Sequence, residues 1–250
     1  MFCSENCKSM ASKKFHFIEC DFVECWQVLF TKVIQTTFRT FCEALYICDG
    51  SVVKLEKFLT DQMKFGSTIF DFDFSKNDLE EVSSRKKLLQ AVHNLVTNEV
   101  NRGFIDDFHR SGCCAILYDF CSKYTPLKDT IKTNQQWDLF NRFIYKHSQI
   151  SALNFHELYA LAANTFEQEN IQFGSGSFPF CSLINHSCAP NLMRITFDCS
   201  NYVIISRKIP KGGQLFDSYG YVIHLLCILD HLIIIIIIVI IIILCYDSLC

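Results

Sequence analysis

The stretch Ser182–Asn191, SLINHSCAPN, decides how this chain is read. Asn185, His186, Ser187 and Cys188 stand in a row, directly after three residues that read as the buried end of a strand. A surface loop does not need that apolar approach, and an ordinary core does not tolerate an Asn-His pair. The run is therefore read as a site fixed at the edge of a core.

Working outward, residues 170–220 are punctuated by Gly174, Gly176, Pro179, Pro190, Pro210 and Gly212-Gly213. Between these breakers lie short apolar runs, SFPFCSLI, NLMRITFD, NYVIISRKI and GQLFDSY, which predict short strands joined by tight turns. Upstream the pattern is helical. Leu88, Leu89, Val92, Leu95 and Val96 recur at helical spacing in RKKLLQAVHNLVTNEV, with Ser83-Ser84 as the cap. Further helices are predicted over Trp137–Tyr145 and from about Asn154 through HELYALAANTF. Gly103 and Ser111-Gly112 are read as breaks, and Thr125–Leu127 as a turn.

With 250 residues, half of them hydrophobic and 24 of them Phe, the chain has enough apolar surface for a core. A net charge of −3 and the lack of a basic stripe argue against duplex nucleic acid as the main partner. The N-terminus MFCSENCKSMASKKF has no apolar signal core, so the 15 cysteines are read as buried thiols or zinc ligands rather than disulfides. The expectation is a protein of the cytoplasm and nucleus. Cys3, Cys7, His16 and Cys20 form C-x3-C-x8-H-x3-C, a donor set that suits tetrahedral zinc.

Three segments carry a family resemblance. Gly174–Asn191, GSGSFPFCSLINHSCAPN, resembles the signature of SET-domain lysine methyltransferases, and Ile209–Gly220, IPKGGQLFDSYG, resembles the second SET signature, a Lys-Gly turn before a strand that ends in tyrosine. Phe2–Cys20 resembles the second half of a MYND zinc finger. Together they resemble the SET and MYND domain-containing methyltransferases, with NFHELYALAANTF and the YG at 219–220 leaning toward the family's fourth-numbered branch.

The resemblance implies an α+β fold: a SET core of short strands with a pseudoknot-like crossing, a helical insert and half a MYND finger. The implied divisions are residues 1–20 (half finger), 21–153 (helical insert), 154–220 (SET core) and 221–250 (isoleucine-rich tail). It implies S-adenosylmethionine (SAM) as cofactor, zinc in the finger, and a protein substrate bearing a lysine, histone or non-histone. On the residues that match, Asn185 and His186 would contact the cofactor, with Ser182, Ile184 and Asn164 adding contacts. Tyr219 would be catalytic and near the cofactor, and Phe166 would wall the lysine channel. Cys3, Cys7, His16 and Cys20 would be zinc ligands, shared in the full finger between two ions.

The sequence also departs from the family pattern. The first half of the finger, the glycine-containing segment before it, and the C-x-C-x2-C cluster that joins Cys188 in binding zinc are not in this sequence. Ile233–Ile243 holds ten isoleucines and one valine, inside the apolar window Leu225–Leu244. That window is long enough for a membrane span, but Asp230 and His231 are costly there. The tract reads as low-complexity sequence appended to a truncated enzyme. Two other readings remain open at this point: a non-catalytic interaction protein, and a tail-anchored membrane protein.

Overall fold

Apolar residues spaced three and four apart build the helices of the N-terminal part. In the computed structural model, α1 covers Glu5–Ala11 and continues through a π turn, Ser12–His16, and a further turn, Phe17–Glu19. There follow α2 (Lys32–Ile47), α3 (Val52–Phe65), α4 (Val82–His93), α5 (Phe104–Tyr124) and α6 (Asn134–Asn154). The structure describes residues 4–20, 26, 30–65, 81–161, 170–197, 200–219 and 242–243. It divides into two units, with the boundary between Phe155 and His156. A helical first unit and a second unit of short strands make the chain α+β.

The helix ends are chemically specified. Thr133 and Gln136 form a reciprocal capping box at the start of α6. At the end of α2, Gly50 N–H donates to the Leu45 carbonyl (2.9 Å) and Asp49 N–H to that of Tyr46 (3.0 Å). This closure needs positive φ, 57° at Asp49 and 69° at Gly50, which Asp and Gly accept readily. The first unit packs around Phe38, Phe41, Phe140, Phe143, Leu89 and Leu117, with Phe41 edge-on to Phe140 at 4.9 Å. Buried Glu43 lies between Lys14 (3.6 Å) and Arg85 (2.5 Å), so this carboxylate is charge-balanced inside the fold.

The second unit holds β1 (Phe155–Leu161), β2 (Asn170–Ser177), β3 (Asn185–His186), β4 (Leu192–Phe197), β5 (Ser200–Ile205), β6 (Phe216–Asp217) and β7 (Ile242–Ile243). β1 pairs with β2, β3 with β6, and β4–β5–β7 form a three-stranded sheet. The β4–β5 pair is antiparallel, in the register Leu192 to Ile205. Its core is Leu158, Phe178, Cys181, Ile184, Leu192 and Val203.

Several expectations are corrected. The residues around 154–161 are a strand, not a helix. α6 ends where the Asn154 amide donates to the carbonyls of Val96 and Ile150, and buried Leu158 next to exposed Glu157 follows strand alternation. α4 starts at Val82, so Ser83 and Ser84 lie within it rather than capping it, and it stops at His93. Ser111-Gly112 does not break α5. The glycine costs about 1 kcal/mol in a helix, and burial of Cys113, Cys114, Leu117 and Cys121 on that helix offsets it. SFPFCSLI is not a strand: Phe178–Phe180 turn into a 3-10 turn, Cys181–Leu183. The strands expected in NLMRITFD, NYVIISRKI and GQLFDSY are present as β4, β5 and β6.

Candidate functional site

The 3-10 turn Cys181–Leu183 delivers the chain to β3. Ile184 is buried against Phe178 and Leu192, while Asn185 and His186 emerge exposed. β3 then runs parallel to β6, with Asn185 opposite Phe216 and His186 opposite Asp217. Beyond the pair, Ser187 N–H donates to the Asp217 carbonyl at 2.8 Å. Two strands thirty residues apart in sequence are thereby fixed side by side.

Asn191 sets the register of this pairing. Its Nδ2 donates to the Gln214 carbonyl (2.9 Å) and its Oδ1 accepts from Phe216 N–H (2.8 Å). One side-chain amide thus acts as a short piece of strand for residues 214–216. Just before them, Gly213 N–H donates to the Pro210 carbonyl at 2.8 Å, with φ of 82° at Gly212. A type II turn requires that φ at its third residue, which is the physical use of the Lys-Gly-Gly sequence.

Tyr219 lies two residues past β6. Its N–H donates to His186 Nδ1 at 3.0 Å, its hydroxyl donates to the Ile184 carbonyl at 2.5 Å, and the two rings are 5.3 Å apart. Because Nδ1 accepts, a neutral His186 carries its proton on Nε2, which faces the Cys188 sulfur at 3.4 Å. Burial, with Asp217 next, raises the Tyr219 pKa, so the phenol is protonated at neutral pH. The residue nonetheless remains 61% exposed, accessible to a substrate.

Behind Tyr219, buried Asp217 pairs with Arg194 of β4 at 2.5 Å. Arg194 in turn donates to His156 Nδ1 of β1 at 2.6 Å. Burial, with Arg194 next, lowers the His156 pKa to about 3, so this imidazole is neutral and accepts the guanidinium proton. The Asp217–Arg194–His156 chain therefore links β6 to β4 by an ion pair and β4 to β1 by a hydrogen bond.

Of the residues singled out from sequence, the structure brings Ile184, Asn185, His186 and Tyr219 together. Ser182 sits in the 3-10 turn rather than on a strand, its hydroxyl donating to the Phe178 carbonyl. Asn164, Phe166 and Cys3 lie outside the described residues, as does most of the isoleucine tract. Cys7, His16 and Cys20 fall along one continuous helical run. At about 1.5 Å of rise per residue, the nine residues from Cys7 to His16 put them roughly 13 Å apart along the axis. They do not gather on one ion, and among the described residues no group of three or more His, Cys, Asp or Glu is placed to hold a metal. No helix of the described residues is long and apolar enough to cross a membrane.

Sequence reading missed Asn191, Arg194, Asp217 and His156. Asn191 follows Pro190 at the end of the quoted stretch, and its polar side chain before an apolar strand was the one signal available. Arg194, Asp217 and His156 meet only through the tertiary fold.

Comparison with known proteins gives this geometry a family. "SET domain-containing protein 3" of Caenorhabditis elegans is 26% identical over 105 residues, covering 38% of this chain and 22% of that protein. The chain therefore aligns with about a fifth of the curated relative's length. The SET domain matches residues 41–220, well over half of the chain and including both halves of the β3–β6 pair. The chain belongs to the SET domain family, whose methyltransferases use SAM.

Proposed function

We propose that the β3–β6 crossing is the centre of a SAM-dependent protein-lysine N-methyltransferase, of the SET and MYND type, acting on histone or other protein lysines in the cytoplasm and nucleus. The observation that carries this reading is the double tie of Tyr219, by its hydroxyl to Ile184 and by its N–H to His186, beside the exposed Asn185.

The residues fit the cofactor's polar groups. The Asn185 side chain makes no hydrogen bond among the described residues, so it offers two donors and an acceptor to a ligand. Both His186 nitrogens are engaged, by Tyr219 and Cys188, which leaves its backbone and ring face for contact. When bound, SAM supplies an electrophilic methyl group for in-line transfer to nitrogen.

The chain's own work is positioning. The acceptor lysine has to lose its proton before it can attack, and an apolar, aromatic surround favours the neutral amine by desolvation. Tyr219 Oη gives its proton to the Ile184 carbonyl, so its lone pairs are left to orient the amine and to accept weak C–H contacts from a methyl group. His186 fixes the backbone of Tyr219, and Asp217, through its ion pair to Arg194, fixes the strand that leads to it. Only contacts improved in the transition state raise the rate, so the fixed direction of this hydroxyl matters more than its strength.

The test is calorimetric titration of the full chain with SAM, followed by transfer of labelled methyl from SAM to core histones. Saturable binding is expected, weakened about tenfold by Asn185→Ala, which corresponds to about 1.4 kcal/mol. Tyr219→Phe should retain binding and lose transfer. A folded chain that binds no SAM sinks the enzymatic reading and leaves the non-catalytic interaction protein.

A further inference from the structure

The helical unit contains a pocket of about 280 Å³ between α3, α4 and α6, separate from the strands that carry Tyr219. Its apolar lining is Leu59, Leu139 and Phe143, and its polar lining includes Glu56, His93 and Lys146. Pockets for drug-sized ligands start at about 300 Å³, so this one suits a molecule of roughly amino-acid size.

Two opposite charges line this pocket without pairing to each other. Among the described residues the exposed Glu56 carboxylate makes no close ion pair, and neither does the half-buried Lys146 ammonium, which the Glu99 carboxylate attracts without closing a salt bridge. They do not pair with one another although both line the same space. Arg142, on the same α6 wall, is already engaged by Asp138 at 2.9 Å. Burial lowers the Lys146 pKa and the Glu99 carboxylate only partly offsets this, so the ammonium gains from an anion brought to it.

At the pocket's inner side, His93 is 5% exposed. Its Nδ1 meets His147 Nε2 at 2.9 Å, and its Nε2 has no partner among the described residues. That nitrogen is not sealed from solvent, so a ligand or a water in the pocket can bond to it. The pair can serve either need. If His93 donates to His147, its Nε2 accepts; if His147 donates, the Nε2 carries a proton and donates. Phe143 stacks on His147 at 4.0 Å and keeps both rings in place.

We propose that this pocket binds a free α-amino acid with an apolar side chain. Its carboxylate goes to Lys146 of α6, its ammonium to Glu56 of α3, and its side chain between Leu59, Leu139 and Phe143. A simple carboxylate would use Lys146 alone, and a simple amine Glu56 alone. The zwitterion satisfies both. The site is independent of the methyl-transfer reading, because none of its residues belongs to the β3–β6 pair.

The experiment uses the full chain with L-phenylalanine and L-leucine as probes, beside 3-phenylpropanoate (no ammonium) and phenethylamine (no carboxylate). Binding is followed by thermal shift and by the histidine imidazole resonances. Expected is a saturable rise in Tm with the amino acids, a shift of the His93 signals, and about tenfold weaker binding of either truncated analogue. Lys146→Gln should weaken the amino acids and phenylpropanoate while sparing phenethylamine; Glu56→Gln should do the reverse. Both side chains sit on helix surfaces, and circular dichroism checks that the variants stay folded. No saturable effect at millimolar amino acid overturns the proposal, as does binding that survives both substitutions unchanged.

Discussion

The hydroxyl of Tyr219 donates to the carbonyl of Ile184 at 2.5 Å, across 35 residues of chain. Ile184 is buried in the core of the second unit, so the contact ties an exposed aromatic ring to a fixed backbone point. The same tyrosine is tied by its N–H to His186, two residues beyond Ile184. Two anchors two residues apart define both the position and the direction of the phenol.

Tyr219→Phe separates these anchors. The N–H bond to His186 remains, while the Ile184 carbonyl loses its donor. The expected outcome is a stability loss of about 1 kcal/mol, unchanged SAM affinity, and methyl transfer reduced about 100-fold or more. Urea melts and single-turnover methyl transfer measure the two parts. Transfer within a factor of two of wild type would remove Tyr219 from the chemistry.

Asn191→Ala tests the register of β6. The variant loses one bond as donor, to Gln214, and one as acceptor, from Phe216 N–H. At about 1 kcal/mol for each bond, the expected cost is roughly 2 kcal/mol. The more telling expectation is a broadened Tyr219 ring signal by NMR, because residues 214–216 feed directly into the tyrosine. A sharp, unshifted Tyr219 signal would show that the β3 contacts alone fix it.

Where local chemistry decided structure, the sequence was readable. Pro210 and Gly212-Gly213 announced the turn before β6, and alternating apolar residues announced β4 and β5. The apolar approach to the NHSC run puts it at a core's edge, and Ile184 is buried beside exposed Asn185. Tertiary contacts overrode the rest. Phe155–Leu161 has apolar residues that fit a helical period, but Asn154 ends α6 with its own amide, and pairing with β2 then selects the strand. The i, i+4 placement of His16 and Cys20 matches a metal-binding pattern, yet the helix that creates it also carries Cys7 away. No local signal joins His156, Arg194 and Asp217, which lie on three different strands.

The Arg194–Asp217 pair gives a double-mutant prediction. Asp217 is 5% exposed, and Asp217→Asn leaves a largely buried guanidinium with only a neutral imidazole beside it. Removing one member of such a pair costs about 3 kcal/mol. Arg194→Met strands the carboxylate instead, with a similar cost. The double variant is expected to be less damaged than the sum of the two, by about 1–3 kcal/mol, because neither charge is then left alone. Strict additivity in urea melts would show that the two side chains do not interact energetically.

Acid should destabilise the fold well before its carboxylates titrate. Burial, with Lys146 next, lowers the His93 pKa to about 4, and burial, with His93 next, lowers that of His147 well below the ordinary range. A histidine whose folded pKa lies below its unfolded value near 6.5 binds protons more readily when unfolded. Its stabilising contribution is complete above about 6.5 and is lost as pH falls toward the folded value. Each such group gives a slope of up to about 1.4 kcal/mol per pH unit in that window. Asp106 acts lower: Arg110 and Arg102 hold its pKa at about 2, so its contribution is lost only below the ordinary carboxylate range. The urea midpoint of the helical unit is therefore expected to fall between about pH 6.5 and pH 5. His93→Gln, which cannot titrate, should flatten that fall while lowering the midpoint near neutral pH. A midpoint constant across the window in the unsubstituted chain would mean that the His93–His147 pair takes up a proton without cost, against the burial that surrounds it.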